Sequence, residues 1–383
     1  MHVIYDSSVF AYQKMGGISR YFYELITHFT TGEYMEMMSV RYPRVRSENY
    51  FYNQLPLANN TSKKVPTKYP FSDYLISLPG IIQTKKILSK SKNNTVFHPT
   101  ALYLPYKYDN RHHSMVVTCH DLIYNHYQKE NGHNLKHKLN MMNFHNGYKN
   151  ATRIIAISNN TKKELMGYYD FVSPDMVDVI YHGFSLKNRG ILNNKFDEKK
   201  LSQLMSGKRY LLFVGNRLNH KNFPFFVSAI APLLLDLCDL YLICVGGGNF
   251  KYDEEDLLNS LGIKNKIIHL FPTDEELTYL YQHALTYICP SLYEGFGLPI
   301  LEAYANSCPA ILNNTSCLPE IGGEGALYFE SENPISLQNC VYSLYGNDNL
   351  RETLISKGHT QVKKFSWDKC AKKTYQTYQR ALE

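Results

Sequence analysis

Along nearly the whole chain, short continuous apolar runs alternate with stretches of helical period. Runs of four to eight apolar residues bounded by polar or glycine-rich turns predict buried strands. They occur at His2–Asp6, Thr95–His98, Ser114–Thr118, Arg153–Ile157 and Val177–Tyr181. In the second half they recur from Tyr210, at Asp239–Val245, Lys266–Phe271, Leu285–Cys289 and Ala310–Leu312. Helices are predicted between them. Ile18, Phe22, Leu25, Ile26 and Phe29 share one helical face, and Asn140–Asn150 reads as a helix. Ser158–Thr161 is a capped start. Further helices begin near Pro224, at Thr273, at Pro299 and within 334–364, and an amphipathic one runs from Trp367 to Leu382. Residues 31–95 are poorly patterned. Residues 184–207 are polar and read as an interdomain linker with an entry helix. Strands alternating with helices in each half predict two parallel α/β sheets, with ligand sites at the strand C-termini facing each other across a cleft. The boundaries are an N-terminal domain over 1–190, a C-terminal domain over 191–365 and a last helix over 366–383.

The densest chemistry is the string EGFGLPILE, Glu294 to Glu302, between two of these strands. Gly295 and Gly297 let backbone approach a ligand closely. Pro299 suits the first helical turn, where its missing N–H costs nothing. The turn at Gly297 and Leu298 then leads into a helix end whose amides, those of Ile300 and Leu301, suit a phosphate. The two glutamates fit sugar hydroxyls, Glu302 holding a ribose and Glu294 a second sugar. A strand–turn–helix with two solvated glutamates explains the spacing equally well.

Other turns carry weaker signals. Gly16–Gly17 between strand and helix has the geometry of a phosphate loop but lacks the full G-x-G-x-x-G, so a plain tight turn is the commoner explanation. Arg217 and Lys221 after the Tyr210 strand are placed to hold a diphosphate, with a solvated charged loop as the alternative. Gly246–Gly248 fails the dinucleotide spacing, and close approach of a base or ribose at Gly246 suits it better. Cys119–His120–Asp121 closes a strand, and a lone histidine there is more often structural than functional.

Composition narrows the class. With 383 residues, the chain is expected to form about two domains, and 44% hydrophobic with 20% charged residues is globular. No apolar run approaches the ~20 residues of a membrane span, and the start MHVIYD lacks a signal peptide's features, so a cytoplasmic protein is expected. The eight cysteines contain no C-x-x-C pair, which points away from zinc or redox motifs. A net charge of +7 without a basic arm suits phosphate-rich ligands or an anionic membrane face rather than nucleic acid. Lys63, Lys64, Lys68, Lys85, Lys86, Lys90 and Lys92 among aromatic residues fit docking on anionic lipid, or an ordinary solvated face.

The nine-residue string resembles the glutamate–seven–glutamate motif of retaining glycosyltransferases in family 4. GGISRYFYEL, the HDL after an apolar strand, AIS before a capped helix and the HKN string also resemble that family, in order along nearly the whole chain. Asn216 stands where the family usually has arginine, and His182 where it commonly has asparagine. The resemblance implies the GT-B architecture: two Rossmann-like domains facing across a cleft, with the C-terminal helix crossing back to the first. It implies a site role for His120 against the donor sugar, a base near Phe271 and Thr273, and the Gly16–Gly17 loop near donor phosphate. It further implies a metal-independent, retaining hexosyltransferase with no cofactor beyond its nucleotide-diphosphate sugar. The best guess is GDP-mannose, with a lipid-linked glycan of O-antigen or capsule as acceptor, at the cytoplasmic face of the inner membrane. A UDP- or dTDP-sugar enzyme, a non-catalytic sugar-nucleotide-binding subunit and an epimerase are alternatives. The pattern leaves the oligomeric state open.

Overall fold

The computed structural model describes residues 1–45, 47–55, 72–91, 94–102, 113–127, 135–185 and 198–383. Of the basic stretch, Lys63, Lys64, Lys68 and Lys92 lie outside the described residues, while Lys85, Lys86 and Lys90 are exposed on or just after a helix, Ser72–Ser89. The chain divides into two compact units, Met1–Gly183 with Phe365–Glu383, and Phe184–Lys364.

The first unit is built on β1 (His2–Tyr5), β2 (Ser39–Arg41), β3 (Thr95–His98), β4 (Ser114–Cys119), β5 (Arg153–Ala156) and β6 (Val177–Val179). Their order is β2-β1-β3-β4-β5-β6, and every pairing is parallel. The second unit holds β7 (Arg209–Val214), β8 (Leu240–Val245), β9 (Ile267–Leu270), β10 (Thr286–Cys289), β11 (Ala310–Asn313) and β12 (Ala326–Phe329). Here the order is β12-β11-β10-β7-β8-β9, again all parallel. Parallel strands are covered on both faces, so they read as unbroken apolar runs. Val3, Ile4 and Tyr5 of β1 and Leu211 and Leu212 of β7 are accordingly sealed from solvent. Two-layer helix packing over each sheet is the α/β architecture expected from the sequence.

Several elements escape the sequence pattern, among them β12 and the short helix Ser8–Tyr12, and for three of them the reason is visible. β2 is an edge strand of three residues with two of them exposed, so it has no apolar run to show. The helix Ser72–Ser89 contains Pro79 and Gly80, both of which argue against a helix interior. The helix Tyr252–Ser260 begins soon after the glycine triplet, where a glycine-rich turn dominates the reading.

The last helix, Trp367–Leu382, belongs to the first unit and is pinned there by polar contacts. The Tyr378 hydroxyl lies 2.8 Å from the Tyr5 hydroxyl and 2.6 Å from His98 Nδ1, and His98 Nε2 lies 2.8 Å from Thr118 Oγ1. At the other edge of the sheet Asp178 accepts from Thr377 and pairs with Arg153 and Arg380. This network links β1, β3, β4 and β6 through one helix.

His98 makes that tie sensitive to acid. Burial, and secondarily the nearby His120 ring, push its pKa from 6.5 down to about 3. Below pH 6.5 the unfolded chain takes up a proton that the folded ring refuses, so stability falls on acidification until about pH 3. The expected loss is about 1.4 kcal/mol per pH unit from this residue alone. Urea unfolding above and below that threshold measures it, and His98→Gln, which keeps a polar side chain but cannot titrate, should remove this share of the slope and leave that of the buried His120 and His182.

Candidate active site

In the second unit, β7 has β8 on one side and β10 on the other, so the strand order reverses at the β7–β10 pair. Open parallel sheets bind ligands at such a switch point, beyond the strand C-termini. The loops there are 215–222 after β7, 246–251 after β8, 271–273 after β9 and 290–297 after β10. Arg217, Lys221, Gly246, Phe271, Thr273, Glu294, Gly297, Leu298, Ile300 and Glu302 all lie on these loops or on the helix that follows the last. The sequence had scattered them over 86 positions (217 to 302).

Lys221 and Glu294 form the centre of this group. Lys221 Nζ lies 2.6 Å from Glu294 Oε1, which also accepts from Ser291 Oγ at 2.7 Å. Both side chains are largely buried, 19% and 14% exposed. Burial opposes the lysine's charge, but Glu294 outweighs it and holds the ammonium above its ordinary pKa. The Leu292 amide donates to the His220 carbonyl at 2.8 Å, which joins the two loops through backbone as well. The Glu294 carbonyl accepts from Ser316 Oγ at 2.8 Å and from Cys317 Sγ at 3.1 Å. Lys221 is therefore a fixed cation.

The helix Leu298–Ala305 starts as its proline and glycines demand. Gly297, its N-cap, has φ 89°, a left-handed backbone that a Cβ disfavours. The Ile300 amide departs from expectation. It donates to the Gly297 carbonyl at 3.0 Å and its side chain is fully buried, so this donor is already paired within the first turn. Leu298, the first residue of the helix, is half-buried. Glu302, one turn in and half-buried, accepts from Tyr281 at 3.1 Å.

Arg217 is a second correction. Its Nε pairs with Glu254 at 2.9 Å, and its terminal nitrogens donate to the carbonyls of Gly246, Gly247, Gly248 and Asn249. The guanidinium lies over the Phe250 ring at 4.5 Å, and the side chain is 3% exposed. It braces a loop in which Gly246, Gly247 and Gly248 have φ of 83°, 77° and 71°, and it has no fork left over for a diphosphate. Thr273 is likewise engaged: its hydroxyl and amide form a capping box with Glu276. Phe271, by contrast, is 62% exposed with His269 against it at 4.6 Å, a face open to a planar ring.

The first unit carries the remaining candidates. Gly16 caps the helix Gly17–Thr30. Asp6, at the end of β1, accepts from the Thr100 amide and hydroxyl and from Ser8, tying the loops after β1 and β3. His120 directly follows β4 and packs edge-on against Tyr21 at 5.1 Å. Burial drives its pKa down to about 3, so the ring is neutral. Both ring nitrogens are shielded and lack a hydrogen-bond partner. The residue lines a pocket of about 220 Å³, together with Gln13, Thr118, Tyr124, Asn140, Asn143 and Phe144. Sequence reasoning missed Ser291, Glu254, Tyr281 and this pocket's asparagines, since none stands in a recognisable string.

The family described as Glycosyltransferase Family 4 matches residues 15–188, and that described as Glycosyl transferases group 1 matches residues 194–361. O-antigen chain mannosyltransferase B of Escherichia coli is 23% identical over 398 residues, 99% of this chain and 99% of that protein. Sucrose-phosphate synthase from Thermosynechococcus elongatus has a similar structure, with a TM-score of 0.71 at 19% identity over 99% of this chain and 98% of that one. HepE of Anabaena, solved in complex with UDP-glucose, gives 0.70 at 14% identity over 99% and 100%. At these identities the two structures speak for the fold, which is GT-B.

Proposed function

This chain belongs to the family 4 glycosyltransferases, and we propose that it moves mannose from GDP-mannose onto a lipid-linked oligosaccharide, with retention of configuration. The observation that carries the reading is the buried Lys221–Glu294 pair at the switch point of the second sheet. In the proposed step the bond from the sugar's anomeric carbon to the β-phosphate oxygen breaks, and its electron pair leaves with the diphosphate. The acceptor hydroxyl attacks the same face, and its proton passes to the departing phosphate. Lys221 is positioned to stabilise the charge that develops, without rearrangement during the reaction. Glu294 orients the transferred sugar, Glu302 the ribose, and Phe271 offers a face to the base. The neutral His120 ring supplies one donor and one acceptor to sugar hydroxyls. In this reading the cation at Lys221 takes the place of a metal ion.

Mannose and the O-antigen setting are supported by the Escherichia coli relative's name. A UDP-sugar donor is the second reading, favoured by the UDP-glucose complex of the Anabaena structure. No described helix is long and apolar enough to cross a membrane, and the proposed place of work is the cytoplasmic membrane face, reached through the acceptor's lipid.

Labelled GDP-mannose, UDP-glucose and dTDP-glucose, each incubated with the protein and membrane extract, test the donor. Incorporation from GDP-mannose is expected; incorporation from a UDP-sugar alone removes mannose, and no incorporation or donor hydrolysis removes the transferase. Glu302→Ala is expected to raise the Kd for GDP about tenfold, the loss of one charge-assisted bond pair of about 1.4 kcal/mol, measured by calorimetry.

A further inference from the structure

Glu294 is held at two levels, and only one of them involves its carboxylate. The carboxylate is fixed through one oxygen: Oε1 meets Lys221 Nζ at 2.6 Å and Ser291 Oγ at 2.7 Å. Asn313, fully buried at the end of β11, donates from Nδ2 to the Ser291 carbonyl at 3.1 Å, which steadies the turn that carries that serine. Oε2 has no protein partner among the described residues, so it is the oxygen presented to a ligand.

The main chain is the second level. Glu294 lies in no strand or helix and is followed by Gly295, so no ladder fixes its backbone and its neighbour is permissive. Ser316, on the loop after β11, grips this residue with one hydroxyl. Its Oγ accepts from the Glu294 amide at 3.3 Å and donates to the Glu294 carbonyl at 2.8 Å, using both capacities of the group. Cys317 Sγ adds a weaker donor to the same carbonyl at 3.1 Å. Ser316 makes this contact from φ 55°, a left-handed backbone that strains an L residue other than glycine, asparagine or aspartate. Ser307 also has positive φ, but it stands just past the end of the helix Leu298–Ala305, where a left-handed residue is ordinary termination. Ser316 ends no helix. Strain of this kind persists where the surroundings over-determine it, and it gathers at active sites.

We infer that Ser316 is a positioning residue for the transferred sugar: it acts through the Glu294 main chain and sets where Oε2 points. This role rests on the glycosyltransferase reading, in which Glu294 orients the sugar. It separates what fixes the charge of the carboxylate, Lys221 and Ser291, from what fixes its place. Strain and grip have different chemical origins at Ser316, since the strain belongs to the Cβ and the grip to the hydroxyl. Two substitutions divide them. Ser316→Ala removes the hydroxyl and keeps the strain; Ser316→Gly removes both.

The full chain and both variants are assayed, with membrane extract, on whichever of GDP-mannose, UDP-glucose and dTDP-glucose the wild type turns over. Thermal melts and calorimetry with the matching nucleoside diphosphate are run beside the kinetics. Both variants should lose about 10- to 100-fold in kcat, the scale of a small misplacement at the reacting centre. Their melts should part. Ser316→Ala is expected to melt below wild type and Ser316→Gly above Ser316→Ala, because glycine carries no Cβ penalty at φ 55°. The matching diphosphate has no sugar for Glu294 to orient, so both variants should bind it as the wild type does. Turnover that follows the hydroxyl while stability follows the Cβ is a pattern that a merely structural serine does not produce. A Ser316→Gly enzyme with wild-type kcat, kcat losses ordered as the melts, or diphosphate affinity that falls in step with kcat overturns the positioning role. A wild type that turns over none of the three donors sinks the transferase reading, whereas an active wild type with an unimpaired Ser316→Gly sinks the role of Ser316 alone.

Discussion

Lys221→Met is expected to lower kcat by about 10²- to 10³-fold, the usual consequence of removing one preorganised stabiliser of transition-state charge. The argument is electrostatic. Lys221 holds its proton despite burial because Glu294 lies 2.6 Å away. A departing diphosphate gains negative charge as the glycosidic bond breaks, so the interaction with a fixed ammonium grows along the reaction coordinate. Interactions that strengthen towards the transition state raise kcat, whereas those equal in both states change only KM. The variant should thus lose more in kcat than in donor affinity. It also leaves the Glu294 carboxylate with only neutral donors among the described residues, the Ser291 hydroxyl at 2.7 Å and the Cys289 thiol at 3.9 Å, a poorly compensated buried charge, so its melting temperature should fall as well.

That second effect calls for a control. Glu294→Gln keeps the side chain's shape and its contact with Ser291 but removes the charge. The double variant Lys221→Met with Glu294→Gln should recover the lost stability yet not the lost turnover. Residues in direct contact couple in this way, and their effects do not add. Steady-state kinetics with the active donor, read beside thermal melts of the same samples, separate the two. A Lys221→Met enzyme within tenfold of wild-type kcat, properly folded, means that the cation serves structure and that the charge on the leaving group is met elsewhere.

The contrast between Lys221 and Arg217 shows where sequence reading stops. The strands were legible because parallel strands buried on both faces are written as continuous apolar runs, and β3 was placed to the residue. A cap was legible too: Ser158 accepts from the amide of Thr161, three residues on. These are local rules with local causes. Which carboxylate each of two cations four residues apart meets is not local. Arg217 turns towards Glu254, 37 residues away, and Lys221 towards Glu294, 73 residues away, because the loops after β7, β8 and β10 are neighbours only once the sheet has formed. Strand order decides this, and no string near either residue records it. The same holds for Asn140 and Asn143, ordinary residues on a weakly patterned helix until β3 and β4 place a pocket beside them. Ile300 failed for a different reason. The helix rule leaves its amide free, but the tight turn at Gly297 brings a carbonyl within 3.0 Å of it.

Arg217→Ala is expected to destabilise the second unit by about 3–5 kcal/mol, the range for breaking a buried ion pair from one side. The guanidinium and the Glu254 carboxylate are 3% and 8% exposed, so water cannot replace the missing partner. Four loop carbonyls, of Gly246, Gly247, Gly248 and Asn249, lose a donor in the same stroke. The loop they belong to has three consecutive glycines at positive φ, the residues with the most backbone freedom to regain. It is held in one conformation largely by this side chain, so nucleotide affinity should fall along with the melting temperature. Arg217→Lys is not expected to rescue either quantity, since a single ammonium cannot serve Glu254 and a row of carbonyls at once. Glu254→Gln, which leaves Arg217 its carbonyls and a neutral acceptor, should cost less than Arg217→Ala. If Arg217 instead touched the diphosphate directly, the pattern would invert: Arg217→Ala would melt near wild type while donor turnover collapsed. Chemical denaturation and GDP calorimetry on the three variants decide between bracing and direct contact, because only bracing ties the loss of affinity to a loss of fold.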